Sequence, residues 1–549
     1  MTLAMSKQTR WMWLTALLLM TMEFILFDRM TSRHHAHFYP RWNDQIQYLT
    51  DAYTAYDEMQ AHGLVAGLKL ALTKDAAQGT LHDAAAVLVF WLAGAASRSA
   101  ALSLNLLVFL AWQAALLFAV TQVSRSRILG WMGFGLVLCV AYPWSAGAGS
   151  AVDFRLDHAA MCLFGVSSCT ALLSDGFRHR GWCLALGVAV GLTVLERFLC
   201  SVYFGAIFVA AVIWVLGGNQ RWRRMGNLGI AGAIAAAMIL PIFWVNRTGI
   251  LGYYWVGHIT GVESTARVRG YDVWQSVQFV LGNLGSIHLQ AWFGWTVASL
   301  TGLLAVLFGF SPKKPAAGSP PGWLFSGLVF LLLPATILIF HRQKSEVVLG
   351  ILVPGVVLLV LWLWQTLWKR IDFRPDRTGF RLLPLLPALG AVAAGGSYFT
   401  IQQLRSPHSP EFVQGAEKVN QLSDYIYHTV RTARLPTPSV SIDRIVDFMD
   451  GRILRVVCYE RHQTWVTFGV HLPDSILAGD DATVFFKLKE SDFVVLTDYS
   501  PDSGFWPYDQ QMKRLYPELK DWCDEHLRLV ENFRVFGRDM SLYQRTSLP

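Results

Sequence analysis

Trp42-Asn43-Asp44 and Asp153-Phe154-Arg155-Leu156-Asp157 are the stretches on which the reading of this chain turns. Each interrupts a sequence that is otherwise dominated by apolar runs between residues 11 and 400. A carboxylate at a bilayer surface costs free energy unless it is wetted or paired, so acids placed there are functional candidates by default. Two acidic loops on one face point to a single site built against the membrane.

The surrounding composition supports a membrane setting. The 549 residues are 53% hydrophobic and only 15% charged, with a mean hydropathy of +0.37. Soluble proteins carry about 25% charged residues. The chain therefore reads as a polytopic membrane protein with a soluble part. Spans are expected near 11–27, 100–122, 128–146, 158–173, 183–199, 202–217, 227–245, 291–310, 323–340, 347–367 and 382–400. The first, Trp11 to Phe27, follows Lys7 and Arg10 like a signal peptide. Asp28-Arg29-Met30 offers no small-residue cleavage site, so it reads as an uncleaved span.

The net charge of +8 does not imply nucleic acid. Much of it sits in short loops beside spans, where Lys and Arg set orientation. Arg125/Arg127, Arg178/Arg180, Arg221/Arg223/Arg224, Lys313/Lys314 and Lys369 to Arg381 define a cytoplasmic side, with the N-terminus. Residues 28–99, 147–157, 246–290, 341–346 and 401–549 then face outward, to a periplasm or its equivalent. Arg155, Arg267, Arg269, Arg342 and Lys344 break the charge rule there, and an anionic substrate explains them.

Two domains are expected: a transmembrane domain over 1–400 and a soluble α/β domain over 401–549. In the first outer loop, Asp44 to Lys74 has helical spacing (Ile46, Leu49, Tyr53, Tyr56, Met59) and predicts one or two amphipathic helices on the membrane. Leu81 to Ala96 is short for a span and reads as interfacial or re-entrant. Ser311 to Gly322 reads as a flexible cytoplasmic linker. In the tail, strands are expected at Ser439–Ile442, Leu454–Tyr459, Thr464–Phe468, Thr483–Phe486, Phe493–Thr497, Phe533–Phe536 and Met540–Tyr543, and helix at Gln511–Tyr516 and Leu519–Leu529. The seven cysteines show no zinc or CxxC spacing. Those in spans read as packing residues, while Cys458 and Cys523 are open to pairing in an extracytoplasmic tail.

Trp42-Asn43-Asp44-Gln45 with Tyr48 after a first span, then a second acidic motif in the next outer loop, resembles the GT-C superfamily of membrane glycosyltransferases. The likeness is to its protein O-mannosyltransferase and lipid A aminoarabinose transferase branch. His82-Asp83-Ala84 through Gly94 echoes a family segment but lacks its prolines. Arg342-Gln343-Lys344 before Pro354, and the tail segments Ser491–Asp498 and Leu542–Arg545, add to the likeness.

The apolar runs give about eleven transmembrane helices and the tail an α/β extracytoplasmic domain, and the resemblance implies that they form a GT-C-like fold. It implies inverting transfer of a hexosyl or pentosyl group from a polyprenyl-phosphate donor to an acceptor hydroxyl. The acceptor is left open among lipid, glycan and protein. That chemistry suits the residues. A phosphate leaving group needs positive charge, and the acceptor hydroxyl needs a base. Asp44 is the candidate base, against the simpler reading of a helix cap. Asp157 is a support for acceptor or metal and Asp153 its rival, against capping of the span at 158. Arg155 either neutralises these acids or meets phosphate, and Lys344 and Arg342 are phosphate candidates against headgroup snorkelling. His82, Asp83 and Arg197 are further substrate-binding candidates; the bland reading of Glu196-Arg197 is burial with other partners. No cofactor is certain. A divalent metal is possible, with His34-His35-Ala36-His37 a weak site better read as an interfacial tract. Tyr253-Tyr254-Trp255 reads as an aromatic belt. Two rival classes remain at this stage: a flippase or transporter of lipid-linked sugars, and a non-catalytic scaffold. A transporter would carry midplane charges and repeated halves, and neither is visible.

Overall fold

The computed structural model describes residues 7–40, 43–260, 270–308, 321–369, 385–405, 408–434, 439–443, 451–465, 479–498, 507–535 and 538–548. Residues 311–320 of the expected linker, Arg267, Arg269, Lys313, Lys314 and Arg370 to Arg381 lie outside them, while Pro321 and Gly322, expected in that linker, open the helix Pro321–Phe340. The chain falls into two compact units. The first is Met1–Met30, Thr54–Gly94 and Ala100–Arg405, and the second is Thr31–Tyr53, Ala95–Ser99 and Ser406–Pro549.

The first unit is helical. Its early elements are α1 (Lys7–His34), α2 (Asn43–His62), α3 (Leu64–Thr73), α4 (Leu81–Ala93), α5 (Arg98–Ser124), α6 (Arg127–Leu138), α7 (Leu156–Leu173), α8 (Arg180–Glu196), α9 (Cys200–Leu216) and α10 (Arg221–Val245), of which α1, α2 and α5 extend into the second unit. Among the described residues, seven helices are long and apolar enough to cross a membrane: Thr9–His34, Arg98–Ser124, Leu156–Leu173, Arg221–Val245, Val273–Val306, Gly322–Phe340 and Val347–Lys369. The protein is thus of multi-pass type. The expected span at 128–146 is instead the 12-residue α6 followed by a 3-10 turn, Tyr142–Trp144. Pro143, which has no N–H to donate, keeps an α-helix from continuing through this run. Cys200–Leu216 is also short.

The amphipathic helix of the first outer loop forms as its spacing predicts. Ile46, Leu49, Tyr53, Tyr56 and Met59 are all buried, and α2 stops before Gly63 at φ +93°. Where α3 passes α2, a Cβ at Gly67 would lie 2.6 Å from the Ala55 carbonyl oxygen, so only glycine fits.

The second unit carries a four-stranded sheet in the order β1-β2-β4-β3: Val440–Ile442, Phe493–Thr497, Arg538–Arg545 and Leu527–Val535. β1 and β2 run parallel, while β2–β4 and β3–β4 are antiparallel. A bulge between Leu529 and Glu531 interrupts the β3–β4 hairpin. Val494, Leu496, Tyr508, Met512, Leu519 and Tyr543 form the core between sheet and helix Pro507–His526.

Three tail expectations are corrected. Leu454–Tyr459 lies in helix Gly451–His462, where Leu454, Val457 and Cys458 bury at helical spacing. Thr483–Phe486 lies in helix Asp481–Lys489, whose start is fixed by the Asp480 side chain accepting from Ala482 N at 3.2 Å. In both, β-branched and aromatic residues suggest strand, but caps and packing decide. Leu527–Leu529, expected helical, opens β3. Thr464 and Trp465 are not strand, and Val466 to Phe468 lie outside the described residues. All seven cysteines are buried and unpaired, Cys458 and Cys523 included.

Candidate active site

The charged centre of the first unit grows from the turn between α6 and α7. Gly149 sits at φ +75°, and a Cβ there would meet Val347 Cγ1 at 2.3 Å. Its N–H donates to Asp153 Oδ2 at 2.6 Å. Asn105, buried in the middle of α5, donates to the carbonyls of Ala151 at 3.0 Å and Asp153 at 2.9 Å. These bonds fix the loop that presents Asp153-Phe154-Arg155-Leu156-Asp157.

Asp157 lies in the first turn of α7, where the positive end of the helix dipole favours a carboxylate. It is flanked by two guanidiniums. Arg197 Nη1 is 2.8 Å from Oδ1, and Arg155 Nε is 3.6 Å from Oδ2. Arg155 Nε also lies 4.0 Å from Asp153 Oδ2. Arg197 leaves the helical region just past the end of α8, so its side chain turns away from its neighbour Glu196. Glu196 pairs elsewhere, with Oε1 2.8 Å from His82 Nδ1. The His82 ring packs on Phe154 at a centroid distance of 4.2 Å. Asp83 pairs with Lys74. His82 and Asp83 are completely buried. Nearby, Tyr142 donates its hydroxyl to Ala148 O. Burial first, then the charges of Asp157 and Asp153, push that hydroxyl's pKa well up.

This centre gathers Asp153, Arg155, Asp157, Arg197 and His82 within one unit. Lys344 and Arg342 stand in the loop after helix Pro321–Phe340. Lys344 Nζ donates to the carbonyls of Leu338 (3.0 Å), Ile339 (2.7 Å) and His341 (2.7 Å), capping that helix. Burial lowers its pKa. Arg342 is exposed. Asp44 belongs to the second unit, in the first turn of α2, and is half-buried. In that unit Arg98 pairs with Glu460, which also accepts from the Tyr53 hydroxyl at 2.7 Å.

No family model matches the chain, and no curated protein matches it in sequence. Solved structures do. ArnT from Cupriavidus metallidurans, in its apo state, superposes with a TM-score of 0.59 at 14% identity, over 98% of this chain and 98% of that one. The same protein bound to undecaprenyl phosphate gives 0.58 at 12% identity, over 96% and 97%. The chain shares the fold of that protein. The archaeal oligosaccharyltransferase AglB from Archaeoglobus fulgidus matches at 0.49 and 11% identity, over 87% of this chain and 69% of that one, which is too loose to add to this.

Several residues of the centre escaped sequence reasoning. Asn105 left a signal: it is a lone amide inside the apolar run Leu102 to Leu110. Lys74 and Tyr142 left none. A metal fits this centre poorly. Asp157, the best-placed carboxylate, already faces two guanidiniums, and among the described residues no three His, Cys, Asp or Glu side chains converge.

Proposed function

We propose that this protein is an inverting glycosyltransferase that moves a hexosyl or pentosyl group from a polyprenyl-phosphate donor to an acceptor hydroxyl. The reaction takes place at the outer face of a cytoplasmic membrane, with the 401–549 domain on that side. The observation that carries this reading is the superposition over nearly the whole of both chains on a protein solved with undecaprenyl phosphate. The paired arginines of the first unit agree with it.

The roles follow from charge. Arg155 and Arg197 stabilise the phosphate as the bond from the anomeric carbon to the phosphate oxygen breaks and the polyprenyl phosphate leaves with the electron pair. Asp157 and Asp153 hold those guanidiniums in place. His82 with Glu196, and Asp83 with Lys74, act through burial, fixing α4 and the end of α8 behind the arginines. Arg342 guides the donor headgroup from its exposed loop, and Lys344 shapes that loop. Asp44 is the base: it takes the acceptor proton as the acceptor oxygen attacks the anomeric carbon.

The test is sugar transfer by the purified, reconstituted protein. Radiolabelled polyprenyl-phosphate sugars are offered with membrane extract as acceptor. Wild type transfers label, and Arg197→Gln transfers far less. Equal transfer by the two would remove the arginine pair from the reaction. No transfer from any donor, with donor-independent movement of lipid-linked sugar across the bilayer, would favour a flippase instead.

A further inference from the structure

At the far end of α7, about 27 Å from Asp157 by helix rise, the first unit holds a second polar site. The turn after α7 and the turn between α9 and α10 enclose a cup of about 440 Å³. Asp175, Arg178, Trp214, Asn219 and Arg224 line it. It meets an apolar slot of about 80 Å³ between the helices, and Trp214 lines both. Phe204, Phe208, Ala211, Ala231 and Phe330 wall that slot.

Arg224 is the unusual residue. It is only 4% exposed, yet among the described residues no carboxylate lies within ion-pair distance of it. Its Nε donates to Gly176 O at 2.7 Å, and its guanidinium lies 4.7 Å from the centre of the Trp214 ring. Trp214 is itself stacked on Phe325 at 4.1 Å. One hydrogen bond satisfies one of five guanidinium N–H donors. Two glycines make room for the rest. A Cβ at Gly218 would lie 2.2 Å from Nη1, and one at Gly176 would lie 3.2 Å from Nη2. The one carboxylate in the cup, Asp175, is already paired with Arg178, so the cup keeps an unmatched positive charge that an anion would satisfy.

The charge of the cup narrows the choice. Arg178 pairs with Asp175 at 3.2 Å at the rim, so two cations stand against one carboxylate. The excess of one positive charge matches a phosphodiester monoanion, and the apolar lining of the adjoining slot suits the first methylenes of a hydrocarbon chain. We propose that this end of the helices binds an anionic phospholipid, with its phosphodiester on Arg224 and one acyl chain entering between α7, α9 and α10. The site is separate from the Asp157 centre and does not depend on the reading given to it.

Phosphatidylglycerol is titrated into the full-length protein in neutral detergent, and bound lipid is counted by native mass spectrometry. One lipid is retained by wild type. Phosphatidylcholine with the same chains binds about tenfold more weakly, and Arg224→Gln weakens phosphatidylglycerol by about tenfold or more, as loss of a charge-assisted hydrogen-bond pair implies. Arg178→Gln, at a half-exposed rim position, weakens it by a smaller factor and keeps the test decisive should Arg224→Gln misfold. Inorganic phosphate, having no tail, does not displace the lipid. Equal binding by wild type and both variants overturns the proposal. So does equal retention of phosphatidylcholine, which would mean apolar packing alone, or displacement by inorganic phosphate, which would mean an anion site with no lipid specificity.

Discussion

Asp157 and Asp44 both sit in the first turn of a helix, α7 and α2, but they are held in different ways. Asp157 is buried between Arg155 and Arg197, with both its oxygens directed at guanidiniums. Asp44 is half-buried on an amphipathic helix whose apolar face packs inward. A carboxylate engaged on both oxygens is suited to holding cations. A carboxylate with water access is suited to accepting a proton. The comparison separates a buried carboxylate fixed by guanidiniums from a half-buried one, and shows that acid content alone does not assign a base.

The strongest test of that contrast is Asp44→Asn. Transfer should fall by about 100-fold or more, with donor binding kept, as loss of a general base requires. A variant that transfers like wild type would make Asp44 a helix cap and return the base to the Asp153–Asp157 loop. Asp157→Asn should act differently. Its main effect should be a donor KM raised by about tenfold, as Arg155 and Arg197 lose their anchor. A pure kcat loss with unchanged KM would reverse the two roles.

Glu196→Gln is expected to cost stability more than chemistry. It unpairs a completely buried His82, so the unfolding midpoint in detergent should drop by an amount equivalent to about 1–3 kcal/mol. Activity per folded molecule should stay within about twofold, small against the factors of 100 or more that removal of a catalytic acid–base group produces. Lys344→Gln gives the smallest effect on donor binding. Its ammonium is spent on three carbonyls, so a change in donor KM under about threefold fits a capping role. A rise of tenfold would give it to the phosphate.

The second unit offers a pH test. Burial would raise the Asp424 pKa, but hydrogen bonds from Arg461 at 2.7 and 2.6 Å and from His462 at 3.0 Å outweigh it and hold the pKa below its ordinary value. A depressed carboxylate pKa stabilises the fold above the unfolded pKa, and that stability is lost as pH falls through the folded value. Hydrogen-exchange protection, corrected for the intrinsic rate at each pH, should therefore fall in helices Pro410–Ala433 and Gly451–His462 below about pH 4 in the full chain. In Asp424→Asn this dependence should flatten.

Much of the membrane architecture was legible in the sequence because apolar runs of helical length leave few alternatives. Trp11 to Phe27 and Ala100 to Gln122 became helices close to their expected bounds. α6 was not legible, because Leu136 to Val140 continues the apolar run past the point where Pro143 and the turn end the helix. In the tail, short elements with mixed signals went astray: Val456, Val457 and Tyr459 suit a strand, but packing made them a helix. The acids and arginines of the centre were visible as residue types. Their pairing was not. Glu196 and Arg197 are adjacent in sequence, yet one meets His82 and the other Asp157, and only the fold brings these distant segments together.

The hairpin bulge between Leu529 and Glu531 has a further consequence. β3 is an outer strand of the sheet, and an outer strand with a regular row of open backbone groups is a template for aggregation. The irregular register, with Arg528, Glu531 and Arg534 along the strand, spoils that template. At the other edge β1 is only three residues long, too short to recruit a neighbour's strand. The tail is thereby guarded at both margins against sticking to its own copies when many chains crowd one bilayer.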